Sequence, residues 1–201
     1  MRSEKEIFTT IYDRNSWGNK ESRSGSGSTL NSTQKIREWI PFILRKYNFT
    51  SIVDLACGDF NWMREVDLSG HQYLGLDIVD EIVSNNIKKY KKDNVNFQVG
   101  NVIEDDIPFA DVAMVVACFI HFPIAAIHDT IKNIRKSRIR YLLSSCYIPK
   151  YEKNNINKEI RFGDFHPVNL SMLPFNLKEP VELLINKESL KNILCIGLYE
   201  L

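Results

Sequence analysis

The sequence predicts an α/β domain built on a mostly parallel β-sheet with helices on both faces. Short apolar runs alternate with helical segments along most of the chain, which is the pattern of βαβ crossovers. The longest apolar run, "VAMVVACFI" (112–120), shows no polar alternation, as expected of a strand covered on both faces. A chain of 201 residues is long enough for one buried core, and we expect residues 1–201 to form one domain.

Seven apolar runs are strand candidates and predict a seven-stranded sheet. They are Ser51–Leu55, Tyr73–Asp77, Val95–Val99, Val112–Phe119, Ile139–Tyr147, Val181–Ile185 and Ile193–Leu201. The last two have no helical pattern between them and are expected to pair as an antiparallel hairpin. Helices are predicted between the strands at Trp62–Leu68, Asp80–Lys91 and Ile124–Lys136.

Residues 1–47 precede the first strand and contain two predicted helices. One covers Ser3–Tyr12, and the other, in residues 36–47, repeats apolar residues at i, i+3, i+4 and i+7. Pro41 marks either a kink in the second helix or the start of its regular part. The Gly- and Ser-rich stretch between them, "WGNKESRSGSGSTLNST" (17–33), reads as a flexible linker or as a loop folded over a ligand. Its tryptophan favours the loop.

A second irregular segment, residues 148–180, holds four of the seven prolines. A long stretch without regular structure inside a compact domain is usually functional or disordered. This one lies between strands and carries five large apolar residues. These are Phe162, Phe165, Leu170, Leu173 and Phe175. We therefore expect an ordered lid over a substrate.

Composition excludes several classes of partner. The net charge of +1 provides no field for nucleic acid or an anionic membrane, and no apolar run is long enough to cross a bilayer. The four cysteines form no CxxC pair, and the N-terminus "MRSEKEIF" lacks the apolar region of a signal peptide, so we expect a cytoplasmic protein. No HExxH, Cys/His cluster or EF-hand motif predicts a metal site.

A ligand site is predicted where the first strand ends, in "IVDLACGDFNWM" (52–63). In open α/β sheets, ligands bind beyond the carboxyl ends of the strands, where small residues let the backbone approach. Gly58 alone does not satisfy the G-x-G-x-x-G fingerprint, which argues against a dinucleotide. Asp77 ends the second strand and is placed to accept ribose hydroxyls. Two plainer roles remain open: Asp54 as a loop-orienting acid, and Asp77 as a helix N-cap.

These segments resemble class I S-adenosylmethionine-dependent methyltransferases over essentially the whole chain. "VDLACGD" (53–59) resembles their first motif and "LGLDI" (74–78) their second. The stretch 99–122 resembles the third and fourth motifs. The resemblance implies a Rossmann-like fold with an antiparallel last strand, S-adenosyl-L-methionine as cofactor, and a small-molecule acceptor.

A narrower resemblance is to small methyltransferases of capsule and surface-polysaccharide synthesis. It rests on "IYDRNSWG", "SGSGS", "CGDFNWM", "GDFHPVNL" and "PFNL". It implies a sugar or sugar-phosphate acceptor and a loop that covers the cofactor. That group tends to carry an Arg-Asp pair in the fourth strand, where this chain has Val116 and Ala117. His121 is retained. A catalytically altered cofactor-binding module, acting as a partner or regulator, is therefore the alternative function.

The cofactor contacts implied by the resemblance come from four segments of the chain. Backbone approach is expected at the first turn, ribose binding at Asp77, adenine contacts after the third strand, and methionine contacts after the fourth, with the Gly/Ser loop closing over them. The residues are Trp17, Ser24, Ser28, Asp54, Ala56, Cys57, Gly58, Asp77, Ile78, Asn101, Val102, Ala117 and Cys118.

Methyl transfer from a sulfonium is an in-line displacement, and a base is needed only if the acceptor must lose a proton. His121 is the first candidate for this base, because it follows a buried strand at the carboxyl edge. A histidine bonded to backbone at the edge of the core is an equal alternative. His166 is the second candidate, with Asp164 to orient it. Tyr147 and Arg161 are expected near the acceptor.

Overall fold

A computed structural model describes residues 2–150, 156–189 and 192–201 of the chain. The strands form one sheet in the order β3-β2-β1-β4-β5-β7-β6. Their bounds are β1 Ser51–Leu55, β2 Gln72–Asp77, β3 Val95–Val99, β4 Val112–Val115, β5 Tyr141–Pro149, β6 Glu182–Glu188 and β7 Asn192–Glu200. All pairings are parallel except those of β7, which runs antiparallel to both neighbours. The predicted fold class, a Rossmann-like seven-stranded sheet with an antiparallel last strand, is confirmed.

Four α-helices accompany the sheet in the described part of the chain. They are α1 Glu4–Asp13, α2 Gln34–Lys46, α3 Asp80–Tyr90 and α4 Ile124–Lys136. Helix α1 begins with a capping box, in which Ser3 and Glu6 each bond the other's backbone N–H. Helix α2 starts well before Pro41 and continues through it, so this proline does not mark the start of the helix.

The predicted helix Trp62–Leu68 is wrong. The connection between β1 and β2 contains only a short 3₁₀ helix at Met63–Glu65. Its apolar side chains do not line one helical face, and all of them insert into the core from an irregular chain. The inserted residues are Phe60, Trp62, Met63, Val66 and Leu68. Side chains from a loop thus fill space that a helix was expected to cover.

Strand β4 is shorter than predicted, because it ends at Val115 rather than Phe119. The chain leaves the sheet at Ala117, whose φ of 57° lies in the left-handed region, and Phe119–His121 then form a 3₁₀ turn. Buried residues on the two faces of the sheet form separate apolar clusters, one packed with α4 and the other with α2. The early end of β4 opens the carboxyl edge of the sheet.

The irregular segment 148–180 starts with the end of β5, and its residues 151–155 lie outside the described residues. From residue 156 onward it packs on the sheet, with Val168 and Leu170 fully buried. The Tyr147 N–H donates to the Val168 carbonyl at 2.8 Å, which ties the segment to β5. Part of the predicted lid is therefore core, whereas Phe165 and Leu173 are exposed.

Candidate active site

A cavity lies at the carboxyl ends of β1, β2 and β4, where the strand order reverses. It encloses about 1000 Å³, part of which is open to solvent. All thirteen residues predicted to contact the cofactor line it, together with His121. Its position agrees with the general rule for ligand sites in open α/β sheets. The cavity is thus the place where the predicted cofactor residues meet, although their individual roles stay predictions.

The turn after β1 brings backbone close to the cavity. Ala56 and Gly58 have φ values of 63° and 59°, both in the left-handed region. A Cβ added to Gly58 would lie 2.3 Å from Ser24 Oγ, so only glycine lets the Gly/Ser loop approach this closely. The turn itself is held against β2, because the Cys57 N–H donates to the Leu76 carbonyl at 2.9 Å.

Asp77 lines the cavity beside this turn. Its carboxylate accepts the N–H of Gly58 and the N–H of Val79, each at 3.0 Å. Helix α3 has Val79 as its N-cap residue, so the N-cap alternative for Asp77 is wrong. Burial raises the pKa of Asp77 to about 6, although the backbone hydrogen bonds act in the opposite direction. Asp77 is a buried acid with lone pairs left for a ligand.

Asp54 is a second buried acid on the neighbouring strand. It accepts the hydroxyl of Tyr73 at 2.6 Å rather than a loop N–H, which does not match the alternative of a loop-orienting acid. Burial raises its pKa to about 7, the Tyr73 hydrogen bond lowers it, and the charge of Asp77 raises it further. Two buried acids with raised pKa values therefore lie on neighbouring strands, and a cation bound beside them would favour their ionised forms.

The Gly/Ser loop is tied to the first turn by Asp59. The Asp59 carboxylate accepts the Ser22 hydroxyl at 3.0 Å, the Arg23 N–H at 2.9 Å and the Ser24 hydroxyl at 3.3 Å. In return, the Asp59 N–H donates to Ser24 Oγ at 3.1 Å. These bonds identify residues 17–28, which we call the cover segment, as an ordered part of the site rather than a flexible linker.

The strands β3 and β4 contribute the rest of the predicted cofactor residues. Asn101 follows β3, and its side-chain oxygen accepts the Ile103 N–H at 3.0 Å in a tight turn beside Val102. The Ala117 N–H donates to Ser145 Oγ at 2.8 Å, which fixes the strained residue after β4. Burial raises the pKa of the Cys118 thiol, so this cysteine remains protonated and is a poor nucleophile.

His121 lines the same cavity as Asp77. Its Nδ1 is 2.8 Å from the Asp164 carbonyl oxygen, which only accepts, so Nδ1 carries the proton. The indole of Trp17 stacks on the imidazole with ring centroids 4.6 Å apart. Burial lowers the pKa of His121, so the neutral form predominates at pH 7 and Nε2 keeps a free lone pair. Backbone bonding and a capacity to act as a base therefore coexist in this residue.

The structure does not bring His166 into the cavity. His166 is 1% exposed, and its Nε2 lies 3.0 Å from the Phe122 carbonyl oxygen. Asp164 does not orient it as predicted, because the Asp164 carboxylate accepts the Arg161 N–H and its carbonyl holds His121. Neither Arg161 nor Tyr147 lines the cavity, although Tyr147 lies near its mouth beside Phe165.

Sequence reasoning missed the residues of helix α1 that close the cavity. Phe8 and Tyr12 line it, and the guanidinium of Arg23 lies over the Tyr12 ring at 5.0 Å. The signal was present in the sequence, since both aromatic residues fall on the apolar side of that helix. Asp59 was missed because its partners lie more than 30 residues earlier in the chain.

Comparison with protein families finds one match in the central part of the chain. Residues 52–137 match the family model described as a methyltransferase domain. The match covers 86 of the 201 residues. A search of curated proteins finds no match to this chain.

Solved structures share the fold of nearly the whole chain. The magnesium protoporphyrin IX methyltransferase from Synechocystis PCC 6803 with bound S-adenosylmethionine gives a TM-score of 0.65 at 13% identity, covering 100% of this chain and 99% of that one. The N-methyltransferase NodS from Bradyrhizobium japonicum WM9 with S-adenosyl-L-homocysteine gives 0.65 at 10% identity, covering 94% and 98%. The methyltransferase domain of bacterial CtHen1 gives 0.62 at 16% identity, covering 86% and 100%.

At these identities the neighbours establish the fold. Two of these neighbours hold S-adenosylmethionine or S-adenosyl-L-homocysteine, in agreement with the predicted cofactor. Within the described residues, no group of His, Cys, Asp and Glu side chains is arranged to hold a metal ion. No helix of that part of the chain is long and apolar enough to cross a membrane.

Replacing Asp54 by Asn is expected to stabilise the ligand-free protein at pH 7.5. The folded pKa of about 7 exceeds the ordinary 3.8, so the unfolded chain ionises first and the free energy of unfolding falls between about pH 4 and pH 7. An asparagine side chain does not ionise, so this loss of stability disappears, and its oxygen still accepts the Tyr73 hydroxyl. We expect a gain of roughly 2–4 kcal/mol at pH 7.5 and little change at pH 4. Urea unfolding at both pH values measures it.

The control is Asp106→Asn, a change of an exposed acid paired with Lys136 on the surface. It is expected to alter stability by less than about 0.5 kcal/mol at either pH. Equal pH dependence in wild type and Asp54→Asn would contradict the assignment of a raised pKa to this carboxyl.

Replacing Asp59 by Ala is expected to release the cover segment. The change removes the three hydrogen bonds that the cover segment donates to this carboxylate, and bonds to charged groups contribute about 1.5–3 kcal/mol each. Trypsin should then cut at Lys20 and Arg23 roughly tenfold faster or more, because cleavage follows the population of the open segment. Mass spectrometry of timed digests gives the rates.

Asp13→Ala is the matched control, since Asp13 is an exposed acid just before the cover segment. Cleavage rates equal to those of wild type in both variants would mean that Asp59 does not hold the segment. Urea unfolding of Asp59→Ala at the digestion temperature separates local release from global unfolding.

Proposed function

We propose that this protein transfers the methyl group of S-adenosylmethionine to an oxygen atom of a small acceptor, a sugar or sugar-phosphate of surface-glycan synthesis. The observation that carries the proposal is the one cavity that Asp77, the first turn and His121 line together. The oxygen specificity rests on His121, because an alcohol must lose a proton whereas many other acceptors need not. The four buried free cysteines suit the reducing cytoplasm as the place of action.

The residues present fit the cofactor. Asp77 has carboxylate lone pairs beyond those used by Gly58 and Val79, and these suit the two ribose hydroxyls. The strained backbone at Ala56 and Gly58 leaves room for close contact, and Asn101 and Val102 lie where the adenine is expected. The bound cofactor supplies an activated methyl group on a positively charged sulfur. The carboxylates of Asp54 and Asp77 favour that charge.

The chain's own contribution to the reaction is alignment and removal of one proton. His121 Nε2 would accept the hydroxyl proton of the acceptor, whose oxygen would take the methyl group that the bound cofactor supplies. The Asp164 carbonyl holds the imidazole in the required tautomer. Trp17 covers the imidazole face and excludes water from it.

The roles of the flanking segments belong to the same proposal. Residues 1–47 supply the cover over the cofactor through the cover segment, and the part of 148–180 that carries Asp164 and Phe165 borders the acceptor side. The alternative, a cofactor-binding module without catalysis, rests on Val116 and Ala117 replacing an Arg-Asp pair. A retained histidine with a free Nε2 favours the enzyme over that module.

Cofactor binding tests the first half of the proposal. Calorimetry is expected to show micromolar-range affinity for S-adenosylmethionine and its demethylated product, and no measurable affinity for NAD, because the dinucleotide glycines are absent. Asp77→Ala should weaken binding by roughly 1–3 kcal/mol through lost hydrogen bonds. The exposed Asp106→Ala should bind like wild type. Preferential binding of NAD would overturn the cofactor assignment.

The second half of the proposal is that His121 is the base, and turnover of histidine variants tests it. With labelled methyl donor and a panel of sugar and sugar-phosphate acceptors, His121→Ala should lower turnover roughly 10²–10⁴-fold while leaving cofactor affinity nearly unchanged. Wild-type turnover should fall as the pH drops through a value below 6.5, because burial lowers the pKa of His121 and only neutral imidazole accepts the proton.

Two histidine variants serve as controls for that experiment. His128→Ala changes an exposed histidine outside the cavity and should retain full turnover. His166→Ala removes a buried ring and should reduce stability rather than turnover of the folded fraction. Full turnover in His121→Ala, or a selective loss in folded His166→Ala, would exclude His121 as the base.

A further inference from the structure

Four aromatic rings form a continuous row that leads out of the cavity. Trp17 and His121 stack at 4.6 Å, Phe165 lies edge-on to His121 at 6.3 Å, and Tyr147 lies edge-on to Phe165 at 6.3 Å, all measured between ring centroids. Trp17 and His121 line the cavity, whereas Phe165 and Tyr147 lie outside it. We call this row the aromatic strip.

Phe165 is held in an exposed position by its backbone neighbours. The Gly163 N–H donates to the His121 carbonyl at 2.9 Å, and the His166 N–H donates to the Ile120 carbonyl at 3.0 Å. These bonds clamp residues 163–166 against the turn after β4. The Phe165 side chain nevertheless stays 57% exposed beside the proposed base, although a large apolar side chain gains free energy when it is buried.

An exposed acid, Asp164, directly precedes Phe165, and its carbonyl holds His121. Burial alone shifts the pKa of Tyr147. A phosphate bound between these rings would lose its hydration next to a residue of like charge, which is costly. An uncharged ring loses little free energy of hydration there and gains stacking contacts with the aromatic faces.

We propose that the aromatic strip is the acceptor subsite, and that it binds an uncharged ring that carries the reacting hydroxyl. The inference rests on the proposed function, because it takes His121 as the base. It narrows that proposal, since any phosphate on the acceptor must lie away from the ring next to His121. The apolar face of a sugar and the face of an aromatic ring share this chemistry, and the two sources are separated by experiment.

The test uses the intact protein saturated with S-adenosyl-L-homocysteine, whose binding is measured first by calorimetry. Three probes are titrated by ligand-detected NMR: methyl glucopyranoside, 2-naphthol and 2-naphthyl phosphate. At least one uncharged probe should bind, and whichever binds more tightly identifies the source of the ring. The naphthyl phosphate should bind at least tenfold more weakly than 2-naphthol.

Variants of Phe165 test whether its aromatic ring contacts the bound probe. Phe165→Leu keeps apolar bulk but loses the aromatic face, so affinity for the bound uncharged probe should fall about three- to tenfold, whereas Phe165→Tyr should retain it. Phe109→Ala removes a ring that is 68% exposed elsewhere and should change nothing.

Three results would overturn the inference: no binding of either uncharged probe, equal affinity in Phe165→Leu and wild type, or preferred binding of the phosphate. If S-adenosyl-L-homocysteine itself fails to bind, the proposed function fails. The same three probes are then titrated into the cofactor-free protein, which tests separately whether the aromatic strip binds an uncharged ring.

Discussion

The hydrogen bonds of Asp59 connect two parts of the chain on which the whole site depends. One part is the turn after β1, which is fixed by the sheet, and the other is the cover segment, which has no regular structure to hold it. A Cβ added to Gly58 would lie 2.3 Å from Ser24 Oγ and 3.2 Å from Ser24 Cβ, so a larger residue there would force Ser24 to shift. Trp17 of the same segment stacks on His121, so the Asp59 carboxylate helps to hold two parts of the cavity lining together.

The two buried acids behind that turn lower the free energy of unfolding when they are ionised. Asp54 and Asp77 lie at adjacent strand ends without a cationic partner among the described residues, and their raised pKa values express the free energy of desolvating them. A core designed for stability alone would carry apolar residues here. Such costs are common at functional sites, where the ligand supplies the missing interactions.

The sequence predicted those features that depend on local pattern and strand order. Strands such as Ser51–Leu55 and helix Ile124–Lys136 follow from apolar runs and period, and the cavity residues follow from the edge at which parallel strands end. The failures have a common cause. The segment Trp62–Leu68 has helical composition, but its side chains are recruited individually by the core, and His166 has a reactive ring that packing hides. Both outcomes are decided by contacts distant in sequence, which no local pattern records.

The stacking of Trp17 on His121 has a kinetic consequence for a cofactor seated beneath the cover segment. Under the proposed function, the cover segment would have to lift before a cofactor beneath it could enter or leave, whereas the side of Phe165 stays open to solvent. Sequential binding is then expected, with the cofactor first and its spent form released last. In many enzymes such an opening step, and not the bond-making step, limits turnover.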